Sequence, residues 1–225
     1  MTFSIVGRCR ETGQLGIAIS SSSIAVGARC PWARAGVGAV ATQNVTLPAL
    51  GPRILDLLEH ERIGPDAALE RALSESEWSE YRQVTVVDSQ GRTAMFTGKE
   101  ALGVHHAVAG DQCVAAGNLL ADRHVIDAMV KAFEQTQGAL ADRLIAAMHA
   151  AVEAGGEAGP VHSAALEIVD TPIWPIVDLR VDWADDDPIA RLDALWQAYR
   201  PQMHDYVVRA LNPTAAPSYG VPGDE

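Results

Sequence analysis

Met1-Thr-Phe-Ser-Ile-Val-Gly7, continued by Glu11-Thr-Gly-Gln14 and Gly16-Ile-Ala-Ile-Ser20, is the stretch from which the fold is read. Phe3 and Ile5 alternate with Thr2 and Ser4, and Ile17 and Ile19 alternate with small residues. Alternation of period two predicts two half-buried strands, and residues 11–14 predict the turn that pairs them. Thr2 then stands at the start of a buried strand, and its small side chain permits removal of Met1. A threonine exposed in this way carries a hydroxyl and a free α-amine on one residue. That pair is a complete nucleophile strategy, in which the hydroxyl attacks and the amine serves as base in place of a histidine. An α-amine pKa of about 7.7–8.0 suits it to that task near neutral pH.

Outward from the hairpin, the serine run Ser20 to Ser23 and the segment to Gly36 are too rich in Gly, Pro and Ser for a long regular element. Val37 to Gln43 reads as a strand of small residues that lets other backbone or a ligand approach closely. Leu50, Ile54, Leu57 and Leu58 fall at helical spacing with Gly64 as the stop, and Pro65 and Asp66 open a second helix. Arg82–Asp88 and Arg92–Thr97 predict a hairpin about Ser89-Gln-Gly91, and Gln112–Ala116 predicts a strand ending at Gly117-Asn118. Helices are expected over Leu119–Phe133 and Leu140–Val152, and strands over His162–Val169 and Ile176–Asp182. A last helix is expected from Asp187-Pro188, ended or kinked at Pro201. The order of strands, two helices, strands, two helices, strands and a helix predicts an α+β fold with two stacked antiparallel sheets flanked by helices. A single domain over residues 1–211 is expected, with the Pro-rich tail 212–225 extended over the surface or crossing to a neighbouring subunit.

The formal charge of −12 and seventeen scattered basic residues among 225 argue against nucleic acid and anionic membranes as partners. Neither a signal-peptide pattern nor an uninterrupted apolar run of spanning length is present, so a cytoplasmic protein is expected. Cys9, Cys30 and Cys113 are odd in number and without a CxxC pair, which predicts core thiols rather than disulfides or a thiolate metal site. The seven histidines show neither HxH nor HxxxH spacing, so no metal and no other cofactor is assigned. Asp185-Asp-Asp187 is most simply a capped helix start.

Several ordered words are familiar together: Thr2-Phe-Ser-Ile-Val6, Pro31-Trp-Ala-Arg-Ala-Gly-Val-Gly-Ala-Val-Ala-Thr-Gln43, Arg82-Gln83, Gly117-Asn118, Ser163-Ala-Ala165, Leu179-Arg-Val-Asp182 and the Pro-rich end from Arg209 to Asp224. They resemble the domain of unknown function 1028 family, which is grouped with the N-terminal nucleophile (Ntn) hydrolases. The resemblance runs from Thr2 to Asp224. It implies an αββα four-layer sandwich, a processed N-terminus and hydrolysis of an amide-like bond, with Thr2 where a mature Ntn chain begins. Where the family is expected to carry an Arg-Gly-Lys/Gln type run before Ser163, this chain has Ala158-Gly-Pro-Val-His162. A segment that differs there implies a different substrate if it lines the pocket.

Thr2 is therefore the expected nucleophile. Ser4, two residues on, shares its face and is a candidate to orient the nucleophile or bind substrate. Amide hydrolysis also needs donors aimed at an oxyanion. Asn118 offers a side-chain amide, or else the N-cap of the helix after it. Thr42 and Gln43 end the small-residue strand and offer further donors. The resemblance implies Arg34 or Arg82 as a cation that keeps the Thr2 amine neutral, and it directs attention to His162 in the departing segment and to Ser163 just after it. The expected function is an Ntn-type hydrolase cleaving a C–N bond of a small amide, in a homo-oligomer. Two alternatives stand beside it: a non-catalytic binding or assembly module on the same fold, and a metal-dependent hydrolase using dispersed histidines.

Overall fold

A computed structural model describes residues 1–218, 220 and 221. β1 (Thr2–Arg8) and β2 (Leu15–Ser21) form the expected antiparallel hairpin, with Thr2 opposite Ser21 and Gly7 opposite Gly16. The remaining strands are β3 (Pro31–Arg34), β4 (Gly38–Asn44), β5 (Arg82–Asp88), β6 (Thr93–Thr97), β7 (His106–Gly110), β8 (Cys113–Asn118), β9 (Ser163–Val169) and β10 (Val177–Val181). They make a six-stranded sheet in the order β10-β9-β2-β1-β8-β7 and a four-stranded sheet in the order β3-β4-β5-β6, with every pairing antiparallel. The helices are α1 (Leu50–Asp56), α2 (Pro65–Ser74), α3 (His124–Gln135), α4 (Leu140–Glu153), α5 (Pro188–Tyr199) and α6 (Met203–Leu211).

Alternation along the strands sorts side chains into three apolar layers. Phe3, Ile5 and Ala115 point from the six-stranded sheet onto Met129 and Phe133 of α3, Leu144 and Met148 of α4, and Trp196 of α5. Val6, Ile17 and Val114 point the other way and meet Ala39, Ala41 and Val87 between the sheets. Val40, Val84 and Val86 leave the far face of the four-stranded sheet to pack on Leu50 and Ile54 of α1 and Leu69 of α2. The molecule is an α+β sandwich of four layers, αββα. Full burial of each large apolar side chain contributes roughly 1.5–3 kcal/mol, and most of it is collected on the two helix-facing surfaces. Small residues at close approaches fit this packing. A methyl added at Gly7 would lie 2.7 Å from the Phe133 ring, and one at Gly51 only 2.2 Å from Trp32.

Several element boundaries differ from the sequence expectation. Residues 31–34 form a short edge strand, and 106–110 form the other edge, where Gly- and Pro-rich or weakly patterned sequence predicts none. α1 ends through a π turn over Leu57–Glu61 that is closed by Arg62 in the left-handed conformation, φ 54°, and Gly64 instead precedes α2. α3 starts at His124 and not at Leu119. Leu119 adopts φ 51° and Leu120 pairs with Glu157, so the chain is still in an extended crossing where helical spacing begins in the sequence. A second C-terminal helix, α6, follows Pro201 and lays Met203 and Val207 against the helix-side core. From Asn212 the chain turns through Pro213–Ala215, and Arg209 Nη2 donates to the Pro217 carbonyl at 3.0 Å. Tyr219 and residues 222–225, part of the expected surface tail, lie outside the described residues.

Cys9, Cys30 and Cys113 are free and buried, as core thiols should be. Burial pushes the Cys30 thiol up to about 11 and the Cys113 thiol up to about 12, so both stay protonated and inert at neutral pH. No helix among the described residues is long and apolar enough to cross a membrane.

Candidate active site

β1 is the central strand on which the site is built, because it pairs with β2 on one side and β8 on the other. At its first residue this register aligns four polar residues across four strands: Asn118, Thr2, Ser21 and Ser163. In-register residues share a face, and the face of Thr2, Ser4 and Val6 is the one between the sheets. A second polar row, Gln43, Gln83 and Thr97, crosses β4, β5 and β6 on the opposed sheet. The two rows meet at one end of the intersheet space. Small residues in both sheets bring the backbones close enough for single side chains to bridge them.

The bridge is continuous. Ser4 Oγ donates to Gln43 Oε1 at 2.6 Å. Gln43 Nε2 donates to Gln83 Oε1 at 2.8 Å and to the Ala116 carbonyl at 3.1 Å. Asn118 Nδ2 reaches the same Gln83 Oε1 at 3.2 Å, while Gln83 Nε2 donates to Gly117 O at 3.0 Å and Thr97 Oγ1 at 3.1 Å. Such a network in a buried, low-dielectric place is stable because its members satisfy one another. Its direct consequence is that Gln43 is committed to Gln83 and the β8 backbone, with Ser4 as its link toward Thr2.

Thr2 itself is buried, covered by Met1. Its Oγ1 donates to the Met1 carbonyl oxygen at 2.6 Å and lies 3.1 Å from Ser21 Oγ. Ser21 Oγ donates to the same Met1 carbonyl at 2.5 Å and accepts from Ser23 N at 3.1 Å. Two hydroxyls thus converge on one carbonyl oxygen adjoining Thr2. Above Met1 runs the strap Glu157-Ala-Gly159. It is tied down by the Leu120–Glu157 bridge and by Ala158 N donating to Leu119 O at 2.9 Å. Glu157 is 6% exposed, and neither carboxylate oxygen has a hydrogen-bond partner among the described residues. Burial pushes its carboxyl up to about 8, against the pull of the Met1 α-ammonium and the nearby Ser22, which lies short of hydrogen-bond geometry.

The candidate residues divide into those the fold brings together and those it does not. Thr2, Ser4, Gln43 and Asn118 converge. Asn118 ends β8 and is not a helix N-cap, since α3 begins six residues later. Arg34, Thr42 and Arg82 share the strand faces of Trp32, Val40 and Val84, which turn toward α1 and α2 and away from Thr2. Arg34 is held by Asp56 at 2.9 Å and Glu59 at 2.5 Å, Thr42 lies near the Leu47 carbonyl, and Arg82 donates to the Val45 carbonyl. None of these cations stands beside the Thr2 amine. Ser163 Oγ donates to Ser23 O at 2.6 Å and accepts from Val26 N at 3.2 Å, which pins the serine turn after β2. His162 stacks on Trp183 at 4.3 Å and its Nδ1 meets the Ala184 carbonyl at 2.8 Å. A hollow of about 450 Å³ beside Trp183, lined also by Arg180 and Arg191, does not include His162 or Thr2. Ser21, Gln83 and Glu157 also lie around Thr2 and are not among the candidate residues named from the sequence. Gln83 sits opposite Gln43 in register, a pairing visible only if the two strands are known to be neighbours. Among the described residues no group of three or more His, Cys, Asp and Glu is placed to hold a metal ion.

The model described as a family of unknown function, DUF1028, matches residues 2–192. A crystal structure of a Silicibacter pomeroyi protein of the same family superposes with a TM-score of 0.82 at 32% identity, covering 88% of each chain. The ancestral β-subunit Anbu of Yersinia bercovieri is a far weaker likeness, with a TM-score of 0.41 at 10% identity over 90% of this chain and 96% of that one. The Anbu Gly-1 mutant of Hyphomicrobium sp. strain MC1 is similar, at 0.41 and 11% over 91% and 96%. Among curated proteins none matches the chain. A match over most of the length, joined to a close superposition on a solved relative, makes this chain a member of the DUF1028 family.

Proposed function

We propose that this protein is a hydrolase that cleaves the C–N bond of a small amide, with Thr2 as nucleophile once Met1 is removed. The observation that carries the reading is the position of Thr2 Oγ1, buried at the end of the central strand and sharing the Met1 carbonyl with Ser21. In the proposed reaction the freed α-amine takes the Oγ1 proton as Oγ1 bonds to the substrate carbonyl carbon. The tetrahedral intermediate collapses, the C–N bond breaks and the leaving amine carries away that proton. Water then adds to the ester, gives its proton through the same amine to Oγ1, and the carboxylic acid departs. Ser21 Oγ, already donating to a carbonyl oxygen beside Thr2, is the natural oxyanion donor, with Asn118 Nδ2 behind it. Ser4 and Gln43 position the strand end.

Labelling with a β-lactone, an acylating probe for N-terminal threonine, tests this by intact mass. Chain freed of Met1 should gain one adduct on Thr2. Thr2→Ala and the Met1-retaining chain should gain none, and Thr2→Ser should still react. An adduct elsewhere, or none on Met1-free wild type, removes the reading.

A second reading, a binding or assembly module without catalysis, is favoured by the inward commitment of the Gln43 donors and by the Met1 carbonyl that occupies both hydroxyls. Unlabelled Met1-free protein that still binds ligands would support it. The proposal also includes a reducing, cytoplasmic setting, in keeping with three free buried thiols. It includes self-association as well, suggested by Ile173, which is 99% exposed, next to Trp174. Light scattering of the purified chain decides the latter.

A further inference from the structure

If Thr2 is the nucleophile, an acyl group bound for hydrolysis must place its carbonyl within reach of Thr2 Oγ1, and Met1 already places one there. Met1 is chemically an α-aminoacyl group joined to nitrogen by an amide bond. Attack of Oγ1 on its carbonyl carbon would form the same ester that a methionyl substrate forms. The surroundings of Met1 therefore describe the acyl pocket. Its carbonyl oxygen takes the Ser21 and Thr2 hydroxyls. Its side chain lies against Gly159, where an added methyl would be 3.0 Å from Met1 Cε. Its α-ammonium acts on Glu157.

Glu157 has no structural explanation of its own. A carboxyl more than nine-tenths buried with both oxygens unpaired is costly, and buried polar atoms of this kind ordinarily have partners. It is held on a strap that is fastened at its backbone on Leu119 and Leu120. The cation it acts on in the present chain is the one that leaves with Met1. Resting on the assignment of Thr2 as nucleophile, we propose that Glu157 recognises the free α-amino group of the substrate, so that the substrates are amides of α-amino acids with an unbranched side chain of about methionine's length. Glu157 binds the ammonium, Ser21 the carbonyl and Gly159 leaves room for the side chain. Burial holds the Glu157 carboxyl toward its neutral form and an ammonium nearby pulls the other way, so the pocket carries no uncompensated charge between turnovers.

The test separates recognition from chemistry. Thr2→Ala chain, freed of Met1 by methionine aminopeptidase and verified by intact mass, is titrated by calorimetry with L-methioninamide, N-acetyl-L-methioninamide and L-alaninamide. Methioninamide should bind at least about tenfold more tightly than its acetylated form, because acetylation removes the charge that strengthens the hydrogen bond to Glu157. Glu157→Gln in the same background should bring that ratio near one. Gly159→Ala, whose φ suits any residue, should weaken methioninamide while sparing alaninamide. Equal affinity for free and acetylated amide, no binding of either, or a ratio untouched by Glu157→Gln overturns the proposal. Lactone labelling of Met1-free wild type reports on Thr2 independently. Labelling without amine preference sinks only the substrate class, whereas amine-selective binding without labelling sinks the nucleophile and with it the hydrolytic role of the pocket.

Discussion

Glu157 and Glu167 are two buried carboxyls whose titration should be visible in stability. Burial raises Glu157 from 4.5 to about 8, and burial with repulsion from Asp178 raises Glu167 to about 7 despite Arg180. Between about pH 4.5 and those values the folded chain keeps protons that the unfolded chain has released. Folding stability from these groups is therefore complete at the acid end and is lost as pH rises through 7 to 8. The unfolding free energy of wild type should fall from pH 5 to pH 8.5, and Glu157→Gln should flatten that slope, with Glu167→Gln removing a further part that ends nearer pH 7. Urea titrations at four pH values measure it. A Glu157→Gln slope equal to that of wild type would mean that the carboxyl is hydrated and ionises normally. The charged pairs on the surface carry no comparable weight: Arg53 with Glu75 and Arg10 with Asp111 are exposed pairs of the kind that contributes about 0–1 kcal/mol.

At the scale of elements, α5 shows how local chemistry starts a helix and tertiary contact keeps it. Asp187 Oδ1 accepts from Ile189 N at 2.9 Å and Ala190 N at 3.0 Å, and Pro188 fills the first turn where no donor is needed. Trp196 then enters the core and its Nε1 donates to Asp142 on α4 at 2.8 Å. Asp187→Ala should cost about 1 kcal/mol in a urea titration, and Asp187→Asn far less, because an amide oxygen caps the same two donors. Equal loss in both would point to charge and not to the cap. α3 behaves in the opposite way. Its apolar spacing begins in the sequence near Leu119, yet Leu119 and Leu120 are held out of the helix by the Glu157 strap, and the helix waits for Asp122, whose Oδ1 takes His124 N at 2.8 Å. A tertiary bridge overrode a local pattern there.

On the scale of the whole molecule, the two sheets are joined at the site end by polar side chains and elsewhere by small apolar ones. Gln83 is the hub, since its amide serves both the Gln43–Ser4 branch and the β8 backbone. Gln83→Leu should strand the donors of Gln43 and Asn118 in a dry interface and cost about 3 kcal/mol, with near-complete loss of Thr2 labelling as the strand ends part. Gln43→Leu together with Gln83→Leu should cost less than the sum of the single changes, because the second substitution removes a group the first has already left unpaired. Additive losses in the double-mutant cycle would show that the two amides do not act as one network.

Much of this was legible in the amino-acid sequence: the opening hairpin, the turn at Ser89 to Gly91, the αβ alternation and the placing of Thr2 at a strand start all follow from period and turn chemistry, which are local. Thr42 and Gln43 stand together as donors in the sequence reading, yet neighbours on a strand point to opposite sides, as Arg82 and Gln83 do. Sequence could not rank which member of each pair faced inward. That choice depends on which side of the sheet the helices cover, and it is decided by packing of distant segments. Likewise Ser21, Gln83 and Glu157 come to Thr2 from 19, 81 and 155 positions away along the chain. Only strand order and the fastening of the strap bring them there, since no local interaction links residues so far apart until the sheets have closed.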